Sequence, residues 1–205
     1  HTCLPVDQLI GRLDDLLQTD ADDIANFIEG LLEQGALYST YYEDILYIYP
    51  PEMYVSEVES VHYTKDFLLE ADPISLDIPS FIEKFEADNH ITFGDAQKEA
   101  IQLSFFEKFS LITGGPGTGK TTIIKALVKG FQLGGLGRII LCAPTGRAAK
   151  RLTEATEFEA TTIHRLLVPV QGSDSYDFTK NEDDPLDIDV IIIDEASMLN
   201  VRLFY

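Results

Sequence analysis

The chain has 205 residues, enough for one large or two small domains with a sizeable core. It is acidic, with 35 Asp and Glu against 15 Lys and Arg and a formal charge of -20, a sign that opposes broad contact with a polyanion. No apolar run is long enough to span a bilayer and no basic segment leads into an apolar one at the N-terminus, so no membrane contact and a cytoplasmic location are expected.

The charge is uneven. Residues 1–90 carry 20 acids and 3 bases, net -17, whereas 91–205 carry 15 acids and 12 bases, net -3. Apolar residues at Val6, Leu9, Ile10, Leu13, Leu16 and Leu17 recur at a helical period, which predicts a helix over Pro5 to Leu17. A second runs from Ala21 to Gln34 through Ile24, Phe27, Ile28, Leu31 and Leu32, with Asp20 as N-cap and Gly35 as stop. Ala36 to Ser39 and Ile45 to Tyr49 are β-prone runs about a Tyr-Tyr-Glu-Asp turn, a hairpin. Helix, helix and hairpin suggest a winged-helix-like module. Its second helix has Asp22, Asp23, Glu29 and Glu33 and no Lys or Arg, which favours a docking role over DNA reading. The many tyrosines, among them Tyr38, Tyr41, Tyr42, Tyr47, Tyr49 and Tyr54, could stack on single strands, but without basic neighbours they read as hairpin packing.

Glu52 to Glu70 reads as a longer helix with Val55, Val58, Val61, Phe67 and Leu68 as its apolar positions, and Asp72 to Ser80 as a linker. The domains expected are 1–72, a small helical unit; 73–90, linker and connecting helix; and 91–205, an α/β core. Thr92 and Asp95 have capping-box-like spacing for a helix from about Phe93 to Glu107, which would fix where Gln97 points. An amide offers the donor and acceptor that the edge of adenine needs, although a helical Gln taken alone is a solvated residue.

The apolar run Phe109-Ser110-Leu111-Ile112 is expected to be a strand, and it leads into Gly114, Gly115, Pro116, Gly117, Thr118, Gly119, Lys120, Thr121 and Thr122, which fit G-x-x-x-x-G-K-[ST]. Glycines let backbone N–H groups wrap an anion, the following helix presents its positive dipole end, Lys120 supplies charge and Thr121 a hydroxyl for Mg²⁺. The plainer alternative is a Gly-rich turn. Arg138 to Ala143 reads as a buried strand running into Pro144, Thr145, Gly146, Arg147, Ala148, Ala149, Lys150 and Arg151, the densest basic cluster of the chain and a surface for phosphate contact. Ala160 to Leu167 sets Thr162, His164 and Arg165 within one helical turn, where a lone His is by default structural. Gly172 to Asp187 reads as an exposed loop or irregular hairpin. Val190 to Ile193 is a strand buried on both faces, ending in Asp194 and Glu195, placed for Mg²⁺ binding and for activating a water as general base. A core strand ending in two solvated acids is the alternative. Cys3 and Cys142 lack metal-ligand spacing and receive no chemistry, and no carboxylate cluster suggests a nuclease site.

In order, the stretches FGDAQKEAI, GGPGTGKTT, CAPTGRAAKRL, ATTIHRLL and VIIIDEASML resemble the Q motif and motifs I, Ia, Ib and II of superfamily 1B DNA helicases, most closely the RecD/TraA type. HTCLP and YIYPPEMYVSEVES resemble the N-terminal region of RecD-like proteins, the exodeoxyribonuclease V alpha subunit family. The resemblance implies a RecA-like P-loop NTPase core with a partial parallel sheet, ATP and Mg²⁺ as cofactors, and 5′ to 3′ movement on DNA in recombination and repair. It assigns adenine to Gln97, phosphate and Mg²⁺ to Lys120, Thr121 and Asp194, water activation to Glu195, and single-stranded DNA to Thr145, Gly146, Thr162 and His164, beside Arg147 and Lys150. The acidic N-terminal half would bind other repair proteins. Motifs III to VI and their arginines would lie beyond Tyr205, so the sequence is expected to be part of a longer protein and a poor ATPase by itself. An AAA+ ATPase or a small-molecule kinase would share the loop and the Asp-Glu strand, but not PTGRAAKRL or TTIHRLL. No GTPase-type NKxD is present. An interaction module would account for the acidic half alone.

Overall fold

A computed structural model describes residues 2–68, 74–170, 172 and 177–205. Contacts divide the chain into two units, residues 1–63 with 200–205, and residues 64–199. In the first unit, β1 (Leu4–Pro5) leads into α1 (Val6–Leu17) and α2 (Ala21–Glu33), then β2 (Tyr38–Tyr42), β3 (Ile45–Tyr49) and α3 (Pro51–Phe67), which continues past the unit boundary. The strands form an antiparallel sheet in the order β1-β3-β2. Asp20 caps α2 by accepting from the Asp22 N–H at 2.9 Å. Ile24, Ile28 and Ile48 form the core, with Val6, Leu9, Ile10 and Leu13 packed against them. The hairpin is tighter than its sequence suggests. Glu43 and Asp44 both take positive φ, 48° and 63°, a two-residue turn that leaves Tyr41 and Tyr42 in the strand.

Helix α3 departs from the expected pattern. It buries Ser56 and Ser60, whose hydroxyls donate to the carbonyls four residues back, and leaves Val55, Val58, Val61, Phe67 and Leu68 exposed. A serine hydroxyl that bonds to a carbonyl of its own helix can be buried at small cost, which lets the small face take the inside. Tyr38, Tyr49 and Tyr54 pack as a cluster, Tyr54 stacked on Tyr38 at 4.9 Å and edge-on to Tyr49 at 5.5 Å. The end of the expected helix at Glu70, and Asp72 and Pro73 of the expected linker, lie outside the described residues.

The second unit begins its regular structure earlier than expected. Ile78 to Ser80 are no linker but the first turn of α4 (Ile78–Asn89), capped by Asp77. Then follow α5 (Asp95–Phe106), α6 (Lys120–Leu133), β4 (Ile139–Ala143), α7 (Gly146–Thr156), β5 (Ala160–Thr162), α8 (Ile163–Leu167) and β6 (Val190–Ile193). The strands are parallel in the order β5-β4-β6, with Cys142 opposite Ile193 and Ala143 opposite Thr162. Asn200 caps a last short helix, α9 (Val201–Phe204), of the first unit. Residues 109–112 join no strand: among the described residues their backbone pairs with none. An apolar run becomes a strand only where a neighbour supplies hydrogen bonds.

Two apolar clusters meet at α6. Ile123, Ala126, Leu127 and Phe131 pack with Phe81, Phe85, Ile101 and Phe105 of α4 and α5, and Ile124 and Val128 pack with Leu141 of β4 and Leu152 of α7. Gly130 is required by the close approach of the Phe105 ring, into which any Cβ would run. The start of β6 is clamped to β4. Arg138 donates from Nε to Asp189 Oδ1 at 3.1 Å, its guanidinium also holds Asp187, and the Gly137 and Arg138 N–H groups donate to Asp189 Oδ2 at 3.1 and 2.9 Å. These bonds, the Arg138 guanidinium first, hold the Asp189 carboxyl down at about 2. A depressed carboxylate stabilises the fold above its unfolded value of about 3.9 and stops doing so as pH falls through its folded value. The melting-temperature gap between the wild type and Asp189→Asn is therefore expected to narrow as pH drops from about 5 to about 2 in a thermal melt series. A gap independent of pH would show that the clamp does not act through the ionised carboxylate.

Candidate nucleotide and DNA site

In the loop before α6, positive φ falls at Gly117 (75°) and Gly119 (80°), conformations that favour glycine. The loop closes on itself. Lys120 Nζ donates to the carbonyls of Gly114 and Gly115 at 2.5 and 2.9 Å, and Thr118 Oγ1 donates to Gly115 at 2.9 Å. Thr118 also explains Gly114, where a Cβ would stand 2.7 Å from the Thr118 hydroxyl. Gly119 is the N-cap of α6 and no side chain caps the helix, so its first-turn N–H groups are left for a ligand. Gly114 to Thr118 are exposed and Lys120, Thr121 and Thr122 half-buried.

Gln97 joins this loop from α5. Its Oε1 accepts from the Gly94 N–H at 2.8 Å and its Nε2 donates to the Thr118 carbonyl at 2.8 Å. The helix therefore starts at Asp95 with Gly94 as N-cap and Gln97 reaching back, rather than at Phe93 with a Thr92–Asp95 box. The cause is Phe93, 4% exposed, whose N–H is held by Glu86 Oε1 at 2.6 Å, keeping residues 92–93 out of the helix. That same N–H, followed by Lys98, lowers the Glu86 carboxyl below its usual range.

Because the strands are parallel, their C-terminal ends open on one edge. Three sets of residues gather there. At the end of β6, Asp194 donates its N–H to the Cys142 carbonyl at 2.9 Å and accepts from the Glu195 N–H at 3.0 Å. Glu195 is exposed and takes a left-handed φ of 56°, turning the chain off the strand. Among the described residues no hydrogen bond or ion pair ties Asp194 or Glu195 to Lys120 or Thr121. At the end of β4, Thr145 caps α7 by accepting from the Ala148 N–H at 3.2 Å, with Gly146 and Arg147 exposed beside it and Lys150 a turn further on, 3.8 Å from Glu154. At the end of β5, Thr162 caps α8 by accepting from the Arg165 N–H at 3.3 Å, and half-buried His164 sets its ring 5.8 Å from Phe178. Both threonines thus have a structural task that the sequence did not reveal. Each hydroxyl proton still remains to donate.

Burial pushes the Cys142 thiol up to about 12, so it stays protonated and inert. Of the exposed loop expected over 172–187, residues 173–176 lie outside those described; Pro169 pairs with Phe178 at its base.

The residues fit a nucleoside triphosphate with its metal. Two left-handed glycines and an uncapped helix N-terminus suit an anion, and Thr121 and Asp194 offer the hard oxygen donors that Mg²⁺ takes. Residues 97–205 match the AAA domain family, somewhat more than half of the chain. The ATP-dependent RecD2 DNA helicase of Deinococcus radiodurans is 46% identical over 93 residues, covering 45% of this chain and 12% of the relative. The RecBCD enzyme subunit RecD of Mycolicibacterium smegmatis is 36% identical over 131 residues, covering 53% of this chain and 24% of the relative. That of Haemophilus influenzae is 36% identical over 134 residues, covering 53% and 20%. The chain thus spans a quarter or less of the length of these relatives.

Proposed function

The chain belongs to the AAA domain family, with a RecD-like helicase motor region over residues 97–205, and on that premise we propose that it binds Mg-ATP and single-stranded DNA as part of a 5′ to 3′ DNA translocase. The observation that carries this reading is the Gln97–Thr118 bond, which ties a base-reading amide to the loop that would hold the phosphates. Gln97 would meet the adenine edge, and Gly114 to Thr122 the phosphates, with Lys120 exchanging the Gly114 and Gly115 carbonyls for phosphate oxygens. Thr121 and Asp194 would hold the metal. When bound, Mg²⁺ neutralises charge on the transferring phosphoryl group.

Glu195 would accept a proton from the attacking water, and its exposure leaves its carboxylate open to one. Thr145, Gly146, Arg147, Lys150, Thr162 and His164 would contact a single strand along the edge shared by β4 and β5. No helix of the described residues is long and apolar enough to cross a membrane. The first unit has 13 acids and 1 base over residues 1–63, which favours a protein partner over DNA.

Glu195→Gln is expected to retain ATP affinity while turnover falls by at least about a hundredfold, since the change removes the base and leaves the phosphate contacts. Titration calorimetry reads the affinity and a phosphate-release assay the rate. An equal loss of affinity and rate would make Glu195 a ligand. For DNA, the affinity for labelled oligo-dT is expected to fall with salt at about 0.7 logarithmic units per phosphate contact, and Lys150→Glu to weaken every sequence alike. Fluorescence anisotropy at two salt concentrations checks this. Binding indifferent to both salt and Lys150 would remove the basic turn from the DNA track.

A further inference from the structure

We propose that Gln97 is a positioning residue for the phosphate loop: by holding the Thr118 carbonyl it fixes which way the Thr118–Gly119 peptide faces, and so aims the Gly119 N–H at phosphate even when no base is bound. This rests on the reading of Gly114 to Thr121 as a phosphate site, and goes beyond it by giving Gln97 a task independent of adenine.

In a trans peptide the carbonyl and the following N–H point in opposite directions, so a carbonyl fixed towards Gln97 at 2.8 Å sends the Gly119 N–H away from it. Without that tether the plane is poorly determined. The plane turns about ψ of Thr118 and φ of Gly119, and a glycine at 119, already at positive φ, permits a rotation that would turn a carbonyl oxygen where an N–H should be. An oxygen there repels phosphate. The approach is close enough to restrict the sequence as well, since a Cβ at Gly119 would stand 2.7 Å from Gln97 Nε2. Gly119 is therefore needed for its backbone conformation, and a side chain there would push the Gln97 amide off Thr118.

One amide can do both tasks. A primary amide has two N–H donors and an oxygen with two lone pairs. Gln97 spends one donor on Thr118 and one lone pair on the Gly94 N–H, keeping one of each for the edge of a base. The Gly94 bond anchors the amide to the start of α5. The base and the phosphate loop then share a single rigid group, and the loop is set before the base arrives.

Inorganic tripolyphosphate separates the two tasks, because it has phosphates and no base. Its binding with Mg²⁺ to the 205-residue chain is measured by titration calorimetry for the wild type and for Gln97→Met, a neutral side chain of similar length. The expected result is a loss of about three- to tenfold in tripolyphosphate affinity, the range of one net hydrogen bond, with the ligand-free melting temperature held. Equal affinity in the two proteins overturns the proposal and leaves Gln97 a reader of the base alone. Failure of the wild type to bind tripolyphosphate overturns the phosphate-site reading, and the proposal with it. Should Gln97→Met melt early, Gln97→Glu keeps the acceptor for Gly94 and loses only the donor to Thr118. At about 1 M salt, where charge is screened beyond ~3 Å, it should still bind more weakly than the wild type. Equal binding there likewise overturns the proposal.

Discussion

Burial of α6 between two apolar clusters is the constraint on which the site depends. One face of the helix packs on α4 and α5 through Ile123, Ala126, Leu127 and Phe131, and another on β4 and α7 through Ile124 and Val128. At about 1.5 to 3 kcal/mol for each large side chain removed from water, these contacts far outweigh any gain from moving the helix end. The N-terminus of α6 is therefore a fixed donor array and the loop before it a fixed length of chain. Lys120, first residue of that helix, has only its side chain to adjust.

The parallel sheet supplies the second half of the geometry. Parallel strands deliver their C-terminal ends to one edge, and here each end turns at once into a capped or bent segment: Thr145 on α7, Thr162 on α8, and Glu195 in a left-handed turn. Fixing the first turn of each segment holds candidate DNA contacts and candidate metal and base groups on rigid elements. The Arg138–Asp189 clamp does the same for the far end of β6. Energy goes into local hydrogen bonds at the ends of elements, where chemistry would need its groups kept still.

Much of this was legible. The apolar runs of β4 and β6 read as parallel strands and are such, with Leu141, Cys142 and Ala143 buried in β4, but β6 is not covered on both faces as expected, for Ile191 is exposed; the loop motif stood before a helix as its chemistry requires. What failed depended on hydrogen bonds that the apolar pattern does not show. Phe109 to Ile112 look like a strand, yet strand formation needs a neighbour that no local pattern reveals. Thr92 and Asp95 have the spacing of a cap, but Glu86 on the preceding helix holds Phe93 and hands the cap to Gln97. In α3 the valines suggested the inner face, and serines bonded to their own helix took it. The Gln97–Thr118 bond spans 21 residues and leaves no periodic trace at all.

The central claim is that Gly114 to Thr121 form a nucleotide site in this chain as it folds. Thermal unfolding with and without Mg-ATP at a hundredfold over its dissociation constant tests it, in the wild type and in Lys120→Ala. The account predicts a stabilisation of about 2.7 kcal/mol in the wild type, set by mass action alone, and none in Lys120→Ala at the same nucleotide concentration. A melting temperature that Mg-ATP leaves unchanged in the wild type, or raises equally in both proteins, would contradict it.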